Sequence, residues 1–244
     1  MINFVTIGKQ ASELLRLSTQ GLLPNHCLLC GAGGLSARLL CPDCQGDLRA
    51  NAHSCALCGI PLVSDAEICG RCLTNPPPFD AARIPLLYIA PCDFLIKAFK
   101  FDGKLDHGKA LVEVVTSYFA EGEQPKLLIP VPLHRARQRQ RGFNQSEIIA
   151  RDLGRQLDIP FNARLCRRNR DTWTQTGLNA GQRKRNLRGA FEIKGNGYAD
   201  HVAIVDDVVT TGSTLVELAH LLKVHGVERV DCWALARTPA RNDP

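Results

Sequence analysis

The cysteines are the first residues in this sequence whose type and spacing could do chemistry. Eight of the eleven fall between residues 27 and 72, and each belongs to a Cys-x-x-Cys pair. Structural zinc takes four ligands at tetrahedral corners, so two such pairs supply a complete set. The sequence therefore predicts two structural zinc ions, with these ligands: Cys27, Cys30, Cys41 and Cys44 for one, and Cys55, Cys58, Cys69 and Cys72 for the other.

The two cysteine segments are copies of one pattern. Residues 27–44 and 55–72 share the same internal spacing, and both begin Cys-x-Leu-Cys-Gly. This duplication favours two sequential sites, one per copy. Cross-braced pairing and an iron–sulfur cluster stay open as alternatives. Four thiolates leave no open coordination position, which indicates a structural rather than a catalytic role.

A second chemical pattern occupies residues 202–215. Four apolar residues lead into Asp206 and Asp207, and a turn of small hydroxyl residues and one glycine follows before a helical pattern begins. Backbone N–H groups near a helix N-terminus bind anions, and hydroxyls add further donors. Carboxylates instead accept hydrogen bonds from sugar hydroxyls or hold magnesium. The combination predicts a ligand with both a diol and a phosphate, such as a phosphorylated ribose.

The elements that position these residues follow from hydrophobic periodicity. A proline run at 76–78 separates the cysteine segment from a region where apolar strands alternate with amphipathic helices. That alternation predicts a parallel sheet with helices on both faces, whose ligands bind beyond the strand C-termini. We expect an N-terminal helix at 1–23, a cysteine module at 24–75 and an α/β domain at 79–240.

Composition narrows the class of protein. The chain has 244 residues, 45% hydrophobic and 22% charged, with a net charge of +6. It contains no apolar run of the ~20 residues that a membrane span needs. The N-terminus has no apolar core typical of a secretory signal. These observations predict a cytoplasmic protein without a membrane span, in a compartment where disulfides rarely persist.

Residues 202–215 resemble the phosphoribosyl pyrophosphate motif of type I phosphoribosyltransferases. The resemblance implies that Asp206 and Asp207 contact the ribose hydroxyls, with magnesium bound alongside the phosphoribosyl pyrophosphate. It also implies that the following turn binds the 5′-phosphate through these residues: Thr210, Thr211, Gly212, Ser213 and Thr214.

Further segments are similar to the ComF family of competence and DNA-utilisation proteins. They are Pro130–His134, Arg139–Ser146 and Arg183–Phe191, together with the double zinc ribbon. The resemblance implies a zinc-ribbon protein with a phosphoribosyltransferase-like α/β domain.

The family resemblance also implies roles for two loops. The pyrophosphate loop would be residues 131–135, which include Val131, Pro132 and Arg135. A flexible loop at 167–188 would contribute Arg183 to catalysis beside the two aspartates.

Arginines cluster at 134–141 and again at 164–188. They can clamp a pyrophosphate, form a track for single-stranded DNA, or make a solvated basic face. Two hypotheses for function therefore stay open. One is a phosphoribosyltransferase acting in DNA utilisation, and the other is a non-catalytic module that binds single-stranded DNA or docks proteins of the DNA-uptake machinery.

Overall fold

The computed structural model describes residues 26–35, 38–169, 189–195 and 199–239. The chain divides into two compact units, Met1–Asp47 and Leu48–Pro244. The expected N-terminal helix and most of the expected flexible loop, including Arg183, lie outside the described residues.

The first unit carries the first copy of the cysteine pattern. The turn at Cys27 closes through a hydrogen bond of 2.9 Å from the Gly31 amide to the Cys27 carbonyl. A one-turn helix, α1 (Pro42–Gly46), begins directly after Cys41, which caps it by accepting a hydrogen bond from the Cys44 amide. Pro42 suits this first helical position because its missing N–H needs no partner there.

The second unit begins with the second copy, which packs on the edge of the sheet. The Ala82 amide donates to the Ala56 carbonyl at 2.8 Å, and the Asn51 side-chain amide donates to the carbonyls of Gly59 and Ile84. Gly59 has a φ of 65°, and a Cβ there would lie 2.5 Å from Ile84 Cδ1. At the equivalent Gly31 nothing lies within 4 Å of a Cβ. A short helix, α2 (Gly70–Thr74), follows Cys69.

The main sheet is parallel, as the sequence predicted, with strand order β1-β7-β6-β3, and β2 continues beside β7. A separate antiparallel pair joins β4 and β5. The strands are β1 (Ala81–Arg83), β2 (Leu86–Leu87), β3 (Leu127–Pro130), β4 (Cys166–Arg168), β5 (Phe191–Ile193), β6 (His201–Val209) and β7 (Arg229–Arg237).

Both faces of this sheet are buried. Val202 and Ile204 of β6 belong to a core cluster with Leu215 and Leu218. Ala203, which lies between them on the strand, is fully buried as well. On β7, Trp233 stacks on Phe119 with ring centroids 4.7 Å apart. The helices of the second unit after α2 are α3 (Cys92–Phe101), α4 (Leu105–Ala120), α5 (Arg135–Arg141), α6 (Gln145–Leu157) and α7 (Ser213–Val224).

The structure differs from the expected elements in three places. The run at 84–89 predicts a strand, but only β2 (Leu86–Leu87) lies within it, and β1 ends at Arg83, before Pro85, which has no amide to donate to a ladder. Most of the arginine cluster at 134–141 lies in a helix, α5, which the hydrophobic pattern does not predict. The strand expected to end before the aspartates continues to Val209, because its pairing with β7 extends to Arg237.

Candidate functional site

The eight cysteines form two sequential clusters, as the duplication favoured. The four sulfurs of each cluster lie within 4.8 Å of one another. Cys30 Sγ is 3.8 Å from Cys41 Sγ in the first cluster, and Cys58 Sγ is 3.7 Å from Cys69 Sγ in the second. A tetrahedral zinc ion with Zn–S bonds of about 2.3 Å places its sulfurs about 3.8 Å apart. The spacing of the thiols therefore fits zinc at both clusters.

Backbone amides point at one sulfur of each cluster. The Cys41 amide donates to Cys27 Sγ at 3.4 Å, and the Cys69 amide donates to Cys55 Sγ at 3.3 Å. Burial raises the pKa of the Cys27 thiol, but several backbone hydrogen bonds outweigh it and lower the pKa to about 6. The same opposing effects lower the pKa of Cys55 to about 7. In the same clusters, hydrogen bonding with Cys41 raises the pKa of Cys44, and burial raises the pKa of Cys72, so without a metal ion one thiol of each cluster ionises far more readily than another.

The acidic pair lies near the C-terminal end of β6, beyond the last residue of β3. Pro130 of β3 pairs with Val205, so β6 extends past its neighbour from Asp206 onward. Asp206 Oδ1 accepts hydrogen bonds from Ser146 Oγ at 3.0 Å and from the Asp207 amide. Asp207 is 6% exposed, and its Oδ1 lies 2.8 Å from Lys100 Nζ. No described residue donates a hydrogen bond to Oδ2 of either aspartate.

Asp206 and Asp207 differ in the charges and the burial that act on their carboxyl groups. Burial, and then the negative charge of Asp207, raise the pKa of Asp206 to about 7. Lys100 opposes this shift and forms the direct ion pair with Asp207. Near neutral pH, Asp206 can therefore exist in either protonation state beside an Asp207 that is paired to a cation.

The turn at 210–214 joins β6 to α7. Gly212 is the N-cap residue of α7 and has a φ of 73°, a conformation that favours glycine. The Ser213 amide donates to Thr211 Oγ1 at 3.4 Å. No described residue accepts a hydrogen bond from the amides of Thr210, Thr211, Gly212 or Thr214. Unused amides at the start of a twelve-residue helix are suited to binding an anion.

The segment after β3 lies at the same edge of the sheet. Val131 is buried, and its carbonyl accepts from the Asn144 side-chain amide at 3.1 Å. Asn144 also caps α6 by accepting a hydrogen bond from the Ser146 amide. Pro132 is buried, and Arg135 is exposed at the start of α5. His134 caps α5 by accepting a hydrogen bond from the Ala136 amide at 3.3 Å, which is a structural role.

Two basic residues interact with the acidic pair: Lys100, which was not expected from the sequence, and Arg141, which belongs to the arginine cluster at 134–141. Lys100 contacts Asp207 from the last turn of α3, a helix that the hydrophobic pattern did not single out. The Arg141 guanidinium lies over the Phe101 ring, 5.1 Å from its centroid. Burial lowers the pKa of Arg141, and the negative charge of Asp207 opposes this shift. A basic residue at a helix end carries no signal in one sequence that distinguishes it from a solvated lysine. Arg183 lies outside the described residues, so its position relative to this site stays a prediction.

No helix among the described residues is both long and apolar enough to cross a membrane.

Comparison with known proteins gives matches to both parts of the chain. Residues 18–73 match the family described as double zinc ribbon domain, and residues 144–244 match the phosphoribosyl transferase domain. Competence protein F of Haemophilus influenzae is 38% identical over 207 residues, covering 81% of this chain and 90% of that protein. DNA utilization protein YhgH of Escherichia coli K12 is 37% identical over 223 residues, covering 88% and 98%. Among solved structures, a purine phosphoribosyltransferase from Pyrococcus horikoshii Ot3 is 20% identical over 56% of this chain and 84% of that chain, with a TM-score of 0.30.

Proposed function

Because the chain belongs to the ComF family, in which a double zinc ribbon precedes a phosphoribosyltransferase domain, we propose that it binds phosphoribosyl pyrophosphate with magnesium. By its relation to proteins named for competence and DNA utilisation, we further propose a role in the uptake or use of DNA in the cytoplasm. Two structural zinc ions are part of this proposal, supported by the sulfur spacing of both cysteine clusters.

The arrangement of β6, the 210–214 turn and α7 carries the proposal. The turn offers amides with no described acceptor at a helix N-terminus, where a 5′-phosphate would bind. Asp206 and Asp207 precede it on the same strand, where their carboxylates would accept hydrogen bonds from the ribose hydroxyls. Lys100 is paired with Oδ1 of Asp207, which leaves Oδ2 of both aspartates without a donor among the described residues and supports this role as acceptors.

Catalysis at such a site would be a substitution at C1′ of the ribose. The bond from C1′ to the pyrophosphate oxygen breaks, the bonding electrons leave with pyrophosphate, and a nitrogen of the acceptor forms the new bond and loses its proton. Magnesium, if bound with the substrate, would supply positive charge against the pyrophosphate. The protein holds the sugar and phosphate in place and stabilises developing charge, so it needs no nucleophile of its own. Val131, Pro132 and Arg135 would flank the pyrophosphate, and Arg183 would join them from its loop.

Calorimetric titration of the zinc-loaded protein with phosphoribosyl pyrophosphate, with and without magnesium, tests the binding proposal. We expect saturable binding at one site per chain, which ribose 5-phosphate weakens by competition. Titration with inorganic phosphate at the same ionic strength serves as the control for a non-specific anion effect. Heats that never exceed those of inorganic phosphate would refute the proposal.

The binding should strengthen as pH rises through 7. A ribose hydroxyl can donate to Asp206 only when that carboxylate is ionised, and the pKa of Asp206 is raised to about 7. Between pH 6 and pH 8, one proton released at that pKa corresponds to a rise in affinity of up to about tenfold. Asp206→Asn should remove this part of the pH dependence, which separates it from the titration of the ligand's own phosphates.

Helix α5 favours a second candidate function, the binding of single-stranded DNA. Its exposed residues include Arg135 and Arg139, and the segment 134–141 contains no acidic residue. Salt-sensitive binding of a single-stranded oligonucleotide that persists in the Asp206→Asn/Asp207→Asn double variant would favour this second function. The zinc ribbons would then serve to dock a partner.

A further inference from the structure

Arg237 is a buried arginine at the end of β7, next to the 210–214 turn. It is 2% exposed. Its Nη1 donates to the Val209 carbonyl at 2.8 Å and to the Thr238 carbonyl at 3.1 Å, and it also contacts the Thr210 carbonyl. Arg237 therefore binds the backbone at the point where β6 ends and the turn begins.

These contacts set the direction in which the turn's amides point. The only cis peptide bond among the described residues is Ala90–Pro91, so the peptides after Val209 and Thr210 are trans. In a trans peptide the N–H points opposite to the C=O of the same unit. Because the Val209 and Thr210 carbonyls face Arg237, the Thr210 and Thr211 amides face away from it, and no described residue accepts from them. Arg237 therefore fixes the two peptide units that carry these donors.

The other edge of the same guanidinium reaches the second cysteine cluster. Arg237 Nε donates to the Cys58 carbonyl at 3.4 Å. No carboxylate among the described residues forms an ion pair with Arg237. A buried cation needs a compensating charge, and four thiolates around one Zn²⁺ carry a net charge of −2.

We propose that Arg237 is a positioning residue that couples the second cysteine cluster, when it holds zinc, to the anion-binding conformation of the 210–214 turn. The second cysteine cluster fixes the position of the Cys58 carbonyl and supplies negative charge near the Arg237 cation. Arg237 binds this carbonyl together with those of Val209 and Thr210, so it fixes the start of the turn relative to the cluster. The identity of the anion rests on the proposed function, but the coupling itself concerns only the protein's backbone.

Substitution of Arg237 by Lys tests the coupling. A lysine keeps the charge but has no planar fork to bind the Cys58 carbonyl and the turn together. We expect two zinc ions to be retained, faster hydrogen exchange at residues 209–215, and affinity for phosphoribosyl pyrophosphate lower by about tenfold, as for one lost hydrogen bond to a charged group. Arg83→Lys is the matched control, because Arg83 also donates to backbone carbonyls, those of Tyr118 and Phe119.

The metal side of the coupling is tested with a pair of cysteine variants. Cys72→Ser damages the second cluster and Cys44→Ser the first, which belongs to the other compact unit. Each should lose about one zinc ion. Only Cys72→Ser should reproduce the faster exchange at 209–215.

The outcomes separate the coupling from the proposed function. If Arg237→Lys lowers thermal stability as Arg83→Lys does but leaves exchange at 209–215 unchanged, Arg237 is merely structural and the proposal is overturned. Equal exchange at 209–215 in the two cysteine variants would overturn the role of the metal site. If the wild-type protein binds no phosphoribosyl pyrophosphate, the proposed function fails, while the exchange measurements still decide on the coupling.

Discussion

Replacing Asp206 and Asp207 together by Asn is expected to weaken the binding of phosphoribosyl pyrophosphate by at least about a hundredfold. Asn keeps the size of each side chain but removes the charge that accepts the ribose hydroxyls. A hydrogen bond to a charged group contributes about 1.5–3 kcal/mol, so losing two corresponds to a hundredfold or more in affinity. Calorimetry or a competition assay measures the loss directly.

The stability of these variants provides an independent check. The raised pKa of Asp206 means that the folded state binds a proton that the unfolded state has released between about pH 4 and pH 7. Ionised Asp206 therefore destabilises the fold above that range, and Asp206→Asn should raise the melting temperature at pH 8 more than at pH 5. Asp207→Asn should lower it, because Lys100 loses its carboxylate.

Asp200→Asn is the matched control for the double variant. Asp200 precedes β6 at the opposite end of the strand and forms an exposed ion pair with Lys126. It should change neither the affinity nor the zinc content. Binding by the double variant within about threefold of the wild type would show that the acidic pair does not contact the ligand.

Removing zinc from the second cysteine cluster should produce the largest loss of stability. The buried residues of its core cluster are Cys55, Cys58 and Cys72, and the apolar side chains that pack against them are only partly buried. Apparent binding energies of structural zinc are about 10–16 kcal/mol at pH 7, and this energy becomes folding energy where a site cannot form alone. We expect Cys72→Ser to lower the melting temperature by about 10 °C or more.

Metal analysis and spectroscopy check this result. The isolated protein should be colourless and contain two zinc ions per chain, one for each cluster. The Cys72→Ser protein should contain one, and its unfolding should no longer respond to added zinc to the same extent. A brown protein with iron and sulfide would instead indicate iron–sulfur clusters.

The cysteine clusters were predictable because the information was local. Four Cys-x-x-Cys pairs at matched spacing define their own ligand sets, and the structure brings together the sets that the duplication favoured. The parallel sheet was predictable for a similar reason, since apolar strands alternate with helices along the chain. The aspartates were expected after the strand, but they lie within β6, because strand length depends on the pairing with β7.

Contacts between distant segments could not be read from one sequence. Lys100 reaches Asp207 across 107 positions of sequence only because α3 ends beside β6. Arg237 looks like the last residue of an ordinary strand, and its burial among carbonyls follows from the extension of β6 and β7 to the same level. Such roles arise from the packing of elements, which periodicity does not specify.

The two glycines that follow the first Cys-x-x-Cys pair of each repeat face different surroundings. Both Gly31 and Gly59 have positive φ, but only at Gly59 would a side-chain carbon meet Ile84. After a duplication, the two copies would therefore have been free to diverge to different degrees. Position 31 has room for a residue that accepts a left-handed backbone, such as asparagine, whereas a side chain at position 59 fits only if the Ile84 side chain moves. The two copies offer the same four metal ligands, but they differ in which residues can replace the glycine after the first Cys-x-x-Cys pair.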